Sequence, residues 1–260
     1  MRSTDMAVAH AELKPLLRDI PGRRFIETLM LVQQPWSSER HTPKGYFYDV
    51  FEEMPLISES SHSMRNPQAD AMICLHFWNG DIHYKDAVHI LVEIKGTIDD
   101  LKQSCRNPEY FDKYMGRSEY FYLAVTTDLV DQALQLVSSP EVGVFDIEKG
   151  VIHKLAGRQN ISKEIRIQNF YVESSYYDRK KLHPRVFSHL PCSLLSLPEP
   201  KFSIHKEDSN ERTQIYQKCH TFRNSFVAQT DGLSETKRMS ILNICLGTEN
   251  KEEPLLAETV

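Results

Sequence analysis

The run His89-Ile90-Leu91-Val92-Glu93-Ile94-Lys95 is apolar and β-branched over most of its length, yet it ends on two charges. Side chains alternate along a strand, so Glu93 and Lys95 face one side while Val92 and Ile94 face the other. Two charges on a probable-core strand of this kind are costly to bury, and they demand a polar cleft, each other or a metal ion. Whatever fold the chain adopts must bring polar groups to the end of this strand. Glu-x-Lys also occurs at Glu12–Lys14 and Glu235–Lys237, where it reads as solvated helix or tail charge. Only the copy at 93–95 ends an apolar strand, follows a strand headed by an acid and precedes a helix.

The surrounding pattern mixes both periodicities. Residues 6–32 read as helical, broken at Pro21-Gly22 and resuming from Arg23 to Val32. Gly45–Phe51 and Ala69–Trp78 read as strands, separated by the serine-rich stretch Ser58–Pro67. Asn79-Gly80-Asp81 is a turn signal before the strand at 89–95. Thr97–Tyr114 reads as helix interrupted at Pro108, Tyr120–Thr126 as a buried strand and Leu129–Val137 as helix. Val142–Asp146 and Val151–Leu155 are short strands around Lys149-Gly150. This succession predicts an α/β (α+β) fold with a central mixed β-sheet flanked by helices. The sheet is complete by Leu155, so residues 1–160 form the expected domain, and a chain ending there is expected to fold. Residues 161–260, with prolines at 184, 191, 198 and 200, read as a poorly structured C-terminal extension, with a lone helix at Asn210–Thr230 and a disordered end at Gly247–Val260.

Composition narrows the function classes. The chain has 260 residues, 40% of them hydrophobic and 26% charged, enough for a real core. No apolar run approaches the roughly 18 residues of a membrane span, and the N-terminus lacks the apolar block of a signal peptide. A cytoplasmic protein without membrane partners is expected. The five scattered cysteines form no C-x-x-C, which argues for reduced thiols. The net charge of -5 argues against coating nucleic acid through bulk positive charge, although local contact remains open. Eleven histidines show no H-x-x-x-H or H-E-x-x-H spacing, and G-x-S-x-G, Walker A and G-x-G-x-x-G motifs are absent.

The charged strand end has a chemistry of its own. Asp70 heads the preceding strand and lies beside Glu93 if the two strands pair antiparallel. Two carboxylates and a backbone carbonyl, that of Ile94, make a hard oxygen site suited to Mg²⁺. A neighbouring lysine can orient or help deprotonate a water for attack on phosphate, while the ion polarises the phosphoryl oxygen.

Asp70, then 22 residues, then Glu93-Ile94-Lys95, in the order helix–strand–strand–strand–helix–strand, resembles the PD-(D/E)XK nuclease superfamily. The residues Ala69-Asp70, Val92-Glu93-Ile94-Lys95, Asp100, Pro108-Glu109-Tyr110, Phe121-Tyr122-Leu123-Ala124-Val125 and Glu141-Val142-Gly143-Val144 resemble one branch more closely, the MmcB-like DNA repair proteins. The resemblance covers roughly residues 20–157. It departs from the family at Ser118-Glu119, where a Cys-Asp is frequent, at Ser104, where a second acid is expected, and at Ala69, where the superfamily's proline stands.

The resemblance implies a restriction-endonuclease-like core and a Mg²⁺- or Mn²⁺-dependent deoxyribonuclease working in DNA repair or processing. Asp70, Glu93 and the Ile94 carbonyl would hold the metal, and Lys95 would position the attacking water. Glu27, on the first helix, would assist; its bland reading is a helix-face charge paired with Arg23 or Arg24. Asp100 and Tyr110 would support the site. Residues 151–185 hold eight Lys/Arg against three acids, with Phe170, Tyr171, Tyr176 and Tyr177 among them. Within that stretch Lys154, Arg158, Lys163, Arg166, Lys180 and Lys181 are the candidate DNA contacts, against the alternative of a solvated linker. A homodimer would suit double-strand cuts. The rival reading is a nuclease-fold protein that binds nucleic acid or a partner without cleaving. A Lys95 buried against Asp100 would favour that rival, and a mutually close Asp70, Glu93 and Lys95 would favour the enzyme.

Overall fold

The strand-like segments form β1 (Gly45–Pro55), β2 (Gln68–Trp78), β3 (Val88–Lys95), β4 (Tyr120–Val125), β5 (Val142–Asp146), β6 (Val151–Lys154) and the two-residue β7 (Phe187–Ser188). The helices are α1 (Ile20–Val32), α2 (Ile98–Arg106), α3 (Val130–Leu136), α4 (Asn210–Thr230) and α5 (Glu235–Leu246). This computed structural model describes residues 11–35, 45–55, 68–78, 87–106, 108–169, 187–188, 191–197 and 210–247. The expected loop at Ser58–Pro67, the turn at Asn79-Gly80-Asp81 and nearly all of the end at Gly247–Val260 lie outside the described residues.

The strands join one mixed sheet in the order β6-β5-β4-β3-β2-β1-β7. β1, β2 and β3 form an antiparallel meander. β3, β4 and β5 run parallel, with α2 and α3 in their crossovers, and β6 returns antiparallel. The chain is thus of the α/β class with a mixed sheet and flanking helices.

Strand alternation sorts the core into two layers. On one face Ala71, Ile73, Ile90, Val92, Ile94, Tyr122 and Ala124 pack with Phe25, Ile26 and Leu29 of α1. On the other Met72, Cys74, Leu91, Phe121, Leu123 and Val125 pack with Leu101 of α2 and Val130 and Ala133 of α3. Two parallel crossovers stepping the same way across a sheet place their helices on the same side. Glu93 and Lys95 share the alternation of Leu91, so they belong to the face that carries α2.

Two local readings change. The N-terminal break falls at Asp19 (φ -97°, ψ -166°), and Pro21-Gly22 opens α1 instead of dividing two helices. Proline is tolerated in a first turn because its missing N–H has no helical partner there. The bend between β5 and β6 depends on Gly150, at φ 70°, where an added Cβ would lie 2.0 Å from the Pro21 carbonyl oxygen.

The described part of the C-terminal third is built into the core. Phe226 of α4 and Met239 and Leu242 of α5 are buried in the same cluster as Phe25 and Ile26. The helix α5 has the caps that terminate helices well: Ser234 accepts from the Lys237 N–H, and Gly247 closes the end in the left-handed region. Its buried contacts come only from tertiary packing, and the sparse apolar pattern of the sequence hid them. Among the described residues, no helix is long and apolar enough to cross a membrane.

Candidate functional site

The antiparallel register carries Asp70 to the charged end of β3. Ala71 pairs with Val92, the last β2–β3 pair at this end, so Asp70 stands across from Glu93. There the Asp70 side chain replaces a strand carbonyl: its Oδ2 accepts the Ile94 N–H at 2.8 Å. A strand residue presents its N–H and C=O to the same edge. The Ile94 carbonyl therefore faces the edge where Asp70 stands.

Glu93 and Lys95 are buried, with 6% and 3% exposure. Charges this enclosed need partners. The Lys95 ammonium donates to Glu93 Oε1 at 3.1 Å and to Asp100 Oδ1 at 3.1 Å, and approaches the Tyr110 hydroxyl at 3.4 Å. The Tyr110 hydroxyl donates to Glu93 Oε1 at 2.7 Å. Local structure explains the convergence. Thr97 Oγ1 accepts the Asp100 N–H and starts α2 directly after the strand. The 3₁₀ turn Pro108–Phe111 then brings Tyr110 back against the strand end.

Burial works to lower the Lys95 pKa, but Glu93 first, then Tyr110 and Asp100, hold it above the ordinary lysine range. This lysine is a cation, and it has no proton vacancy with which to act as a base. Burial, with the Glu93 charge added, raises the phenols of Tyr110 and Tyr114. Both stay protonated and can donate. Ser104, where the family pattern expects an acid, is buried beside the Tyr110 hydroxyl, so a hydroxyl fills that place.

Sequence reading passed over Lys113. Its ammonium lies 4.1 Å from the Tyr110 ring centre and 4.6 Å from that of Tyr114. Burial lowers its pKa while Glu93 and, more weakly, Asp70 oppose that. The spacing of Tyr110, Lys113 and Tyr114, three and four residues apart, is the signal that could have found it.

Glu27 is not brought into this cluster. Its helix, α1, packs on the other sheet face, and the carboxylate is buried at 3% exposure. It accepts from Arg23 Nε at 3.0 Å, from the Ser193 hydroxyl at 2.6 Å, and from the Ser193 and Leu194 N–H groups at 3.3 and 3.0 Å. Burial raises its pKa, and Arg23 and these hydrogen bonds pull it back. The expected pairing with Arg23 is present. The expected assistance at the metal finds no geometric support, because its lone pairs hold the 191–197 turn.

The described part of the basic stretch is also placed elsewhere. Lys154 Nζ donates to the Val137 and Ser139 carbonyls and so caps the end of α3. Arg166 pairs at 3.0 Å with buried Glu119, which accepts the His89 N–H. His89 and Glu119 stand at the start of β3 and β4, the end opposite Lys95. Six residues of strand separate the two ends, roughly 20 Å. The Gln159 N–H bonds the Glu119 carbonyl, so neighbouring Arg158 belongs to that far end. Lys163 starts the helical residues 163–169 there. Lys180 and Lys181, and the aromatics at 170, 171, 176 and 177, lie outside the described residues.

Among the described residues, no group of three or more His, Cys, Asp or Glu side chains is gathered in a metal-holding arrangement. The site at β3 has two such acids opposite each other in the strand register and a carbonyl, with Asp100 turned to Lys95. No family model matches the chain. No curated protein matches it. Among solved structures, a Silicibacter pomeroyi protein of unknown function is similar at 15% identity, over 52% of this chain and 81% of that one, with a TM-score of 0.35. A likeness that faint carries no functional argument.

Proposed function

We propose that the chain is a Mg²⁺- or Mn²⁺-dependent nuclease of the PD-(D/E)XK type that hydrolyses phosphodiesters in DNA, in repair or processing. The observation that carries this reading is the convergence at one strand end: Glu93 bonded to Lys95 at 3.1 Å, and the Asp70 carboxylate 2.8 Å from the Ile94 nitrogen between them.

The donor set fits a hard cation. Asp70, Glu93 and the Ile94 carbonyl would all supply oxygen ligands at one strand end. When bound, such an ion would polarise the phosphoryl oxygen and acidify a water. The protein's own part is to hold the surrounding groups still. Tyr110 donates to Glu93 and fixes its orientation, and Asp100 anchors Lys95. The Lys95 ammonium, kept protonated, is suited to orient a water and to offset negative charge at the phosphoryl group.

One observation favours the rival reading of a binder that does not cleave. Lys95 is 3% exposed and divides itself between Glu93 and Asp100. A lysine so fully engaged must release one partner to meet a substrate. The test is one incubation series: linear and circular, single- and double-stranded DNA with Mg²⁺, Mn²⁺ or EDTA, wild type beside Lys95→Ala. The nuclease reading expects cleavage by wild type with metal, none in EDTA, and a loss of about 100-fold or more in the variant. Binding without cleavage in every metal selects the rival. Neither binding nor cleavage overturns both.

A further inference from the structure

We propose that Cys192 and Cys219 form a dithiol site that closes to a disulfide under peroxide, fastening the 191–197 turn to α4. The two Sγ atoms lie 3.3 Å apart, and both residues are fully buried. They are 27 positions apart in sequence, so no local repeat or helical spacing brought them together. The remaining cysteines lie elsewhere: Cys74 is buried in the other core layer, Cys105 is partly buried on α2, and Cys245 is exposed on α5.

Both partners sit on held backbone. Cys219 is inside the long helix α4. Cys192 precedes Ser193, whose hydroxyl and N–H are fixed by Glu27 and whose carbonyl accepts from Arg24 at 3.0 Å. Closing the bond from 3.3 Å to the roughly 2.05 Å of a disulfide needs a shift of about 1 Å. Leu195, Leu197 and Ile215 pack around the pair. Leu195 and Leu197 also line an open groove of about 770 Å³ with Lys218, Phe222 and Cys245. Leu195 and Leu197 thus touch both the thiol pair and a space that a molecule as small as hydrogen peroxide can enter.

The chemistry balances in two steps. One thiol takes an oxygen from hydrogen peroxide, giving a sulfenic acid and water. The second thiol then attacks that sulfur, the S–S bond forms, and the hydroxyl leaves as a second water. Sulfur is oxidised by two electrons in all, and peroxide is reduced. The hydrogen bond with Cys192, then burial, hold the Cys219 thiol well above its usual range. A protonated thiol attacks slowly. The cross-link therefore closes slowly and, once buried, resists reduction. It acts as a lasting clamp and not as a rapid sensor.

The test uses the full chain, treated with hydrogen peroxide or kept reduced, then alkylated, digested without reductant and mapped by mass. Expected is a peptide pair joined through Cys192 and Cys219, 2 Da lighter than the sum of its reduced halves. Tm is expected to rise by about 5 °C with the bond, for a closed loop of this length. Cys192→Ala and Cys219→Ala each abolish both effects, and Cys245→Ser leaves them intact. Wild-type mapping decides the matter even if a variant fails to fold. Recovery of both cysteines alkylated, their separate conversion to sulfinic acids, or cross-linking through Cys245 would overturn the proposal.

Discussion

Two buried glutamates stand on opposite faces of the same sheet, each beside a cation and a tyrosine. Glu93 has Lys95 and Tyr110, and Glu27 has Arg23 and, at 3.5 Å, Tyr46. The difference lies in the other donors. Glu27 also takes two backbone N–H groups and a hydroxyl from Ser193 and Leu194. Glu93 is held by side chains that can turn away. Backbone donors have nowhere else to go once the fold is made, so Glu27 is a fastening. A carboxylate held only by side chains, at a strand end beside a second acid, can exchange a partner for a ligand. The same residue type thus closes the fold on one face and, under the proposed nuclease reading, serves chemistry on the other.

The largest effect should come from removing what Glu27 holds. A chain ending near residue 160 loses the Ser193 and Leu194 donors and the buried side chains Phe226, Met239 and Leu242. Every strand but the two-residue β7 is present, which is why such a chain looks complete in sequence. We expect it to be insoluble or molten, by near-ultraviolet circular dichroism and thermal melting. A cooperative melt close to that of the full chain would show that the C-terminal third is dispensable and that Glu27 fastens nothing of consequence.

Glu27→Ala should come next, at about 3–5 kcal/mol, because it strands the Arg23 guanidinium and the Ser193 donors in a buried place. Urea unfolding measures this directly. Its pH dependence has a definite sign. Burial raises the folded pKa of Glu27 above its unfolded value. The stability that this shift contributes is fully present below the unfolded pKa and is lost as pH rises through the folded one. Wild type should therefore gain on Glu27→Gln as pH falls into the carboxylate range. The opposite slope would mean that the charged form is the better fastened one.

Lys95→Met should cost less, about 1–3 kcal/mol, because Glu93 and Asp100 can turn to water or a cation at the strand end. Added Mg²⁺ should then raise its Tm more than that of wild type, since the variant leaves Glu93 without its ammonium. Equal shifts would place Glu93 with Glu27, as a structural carboxylate. Asp70→Asn should be the smallest change in stability, within about 0.5 kcal/mol, since an amide oxygen can still accept the Ile94 N–H. Cleavage should nevertheless be lost. A large fall in Tm with cleavage retained would make Asp70 a strand cap and nothing more.

Much of the candidate site was legible before folding. Alternation put Glu93 and Lys95 on one face, the acid at the head of β2 met them through an antiparallel register, and the first-turn Asp100 and the Tyr110 after the proline break followed at short range. Other residues are held by contacts that no local pattern announces. Glu27 looked like a site acid because an acid in an apolar helix needs a partner, but besides Arg23 its partners are 166 and 167 residues away. Lys154 and Arg166 looked like a basic strip for DNA, but one caps α3 and the other neutralises Glu119.

Sequence by itself determined β1 to β6, the alternation of their side chains and the charged end of β3, because these follow from periods of two and of three to four residues that neighbouring residues enforce. Only the tertiary structure decided which buried acid is held by backbone donors and which by side chains, where Lys154 and Arg166 lie, and that Cys192 meets Cys219. Those outcomes depend on where a returning segment docks. That is settled by burial and hydrogen bonding between residues far apart in the chain, for which no local pattern exists.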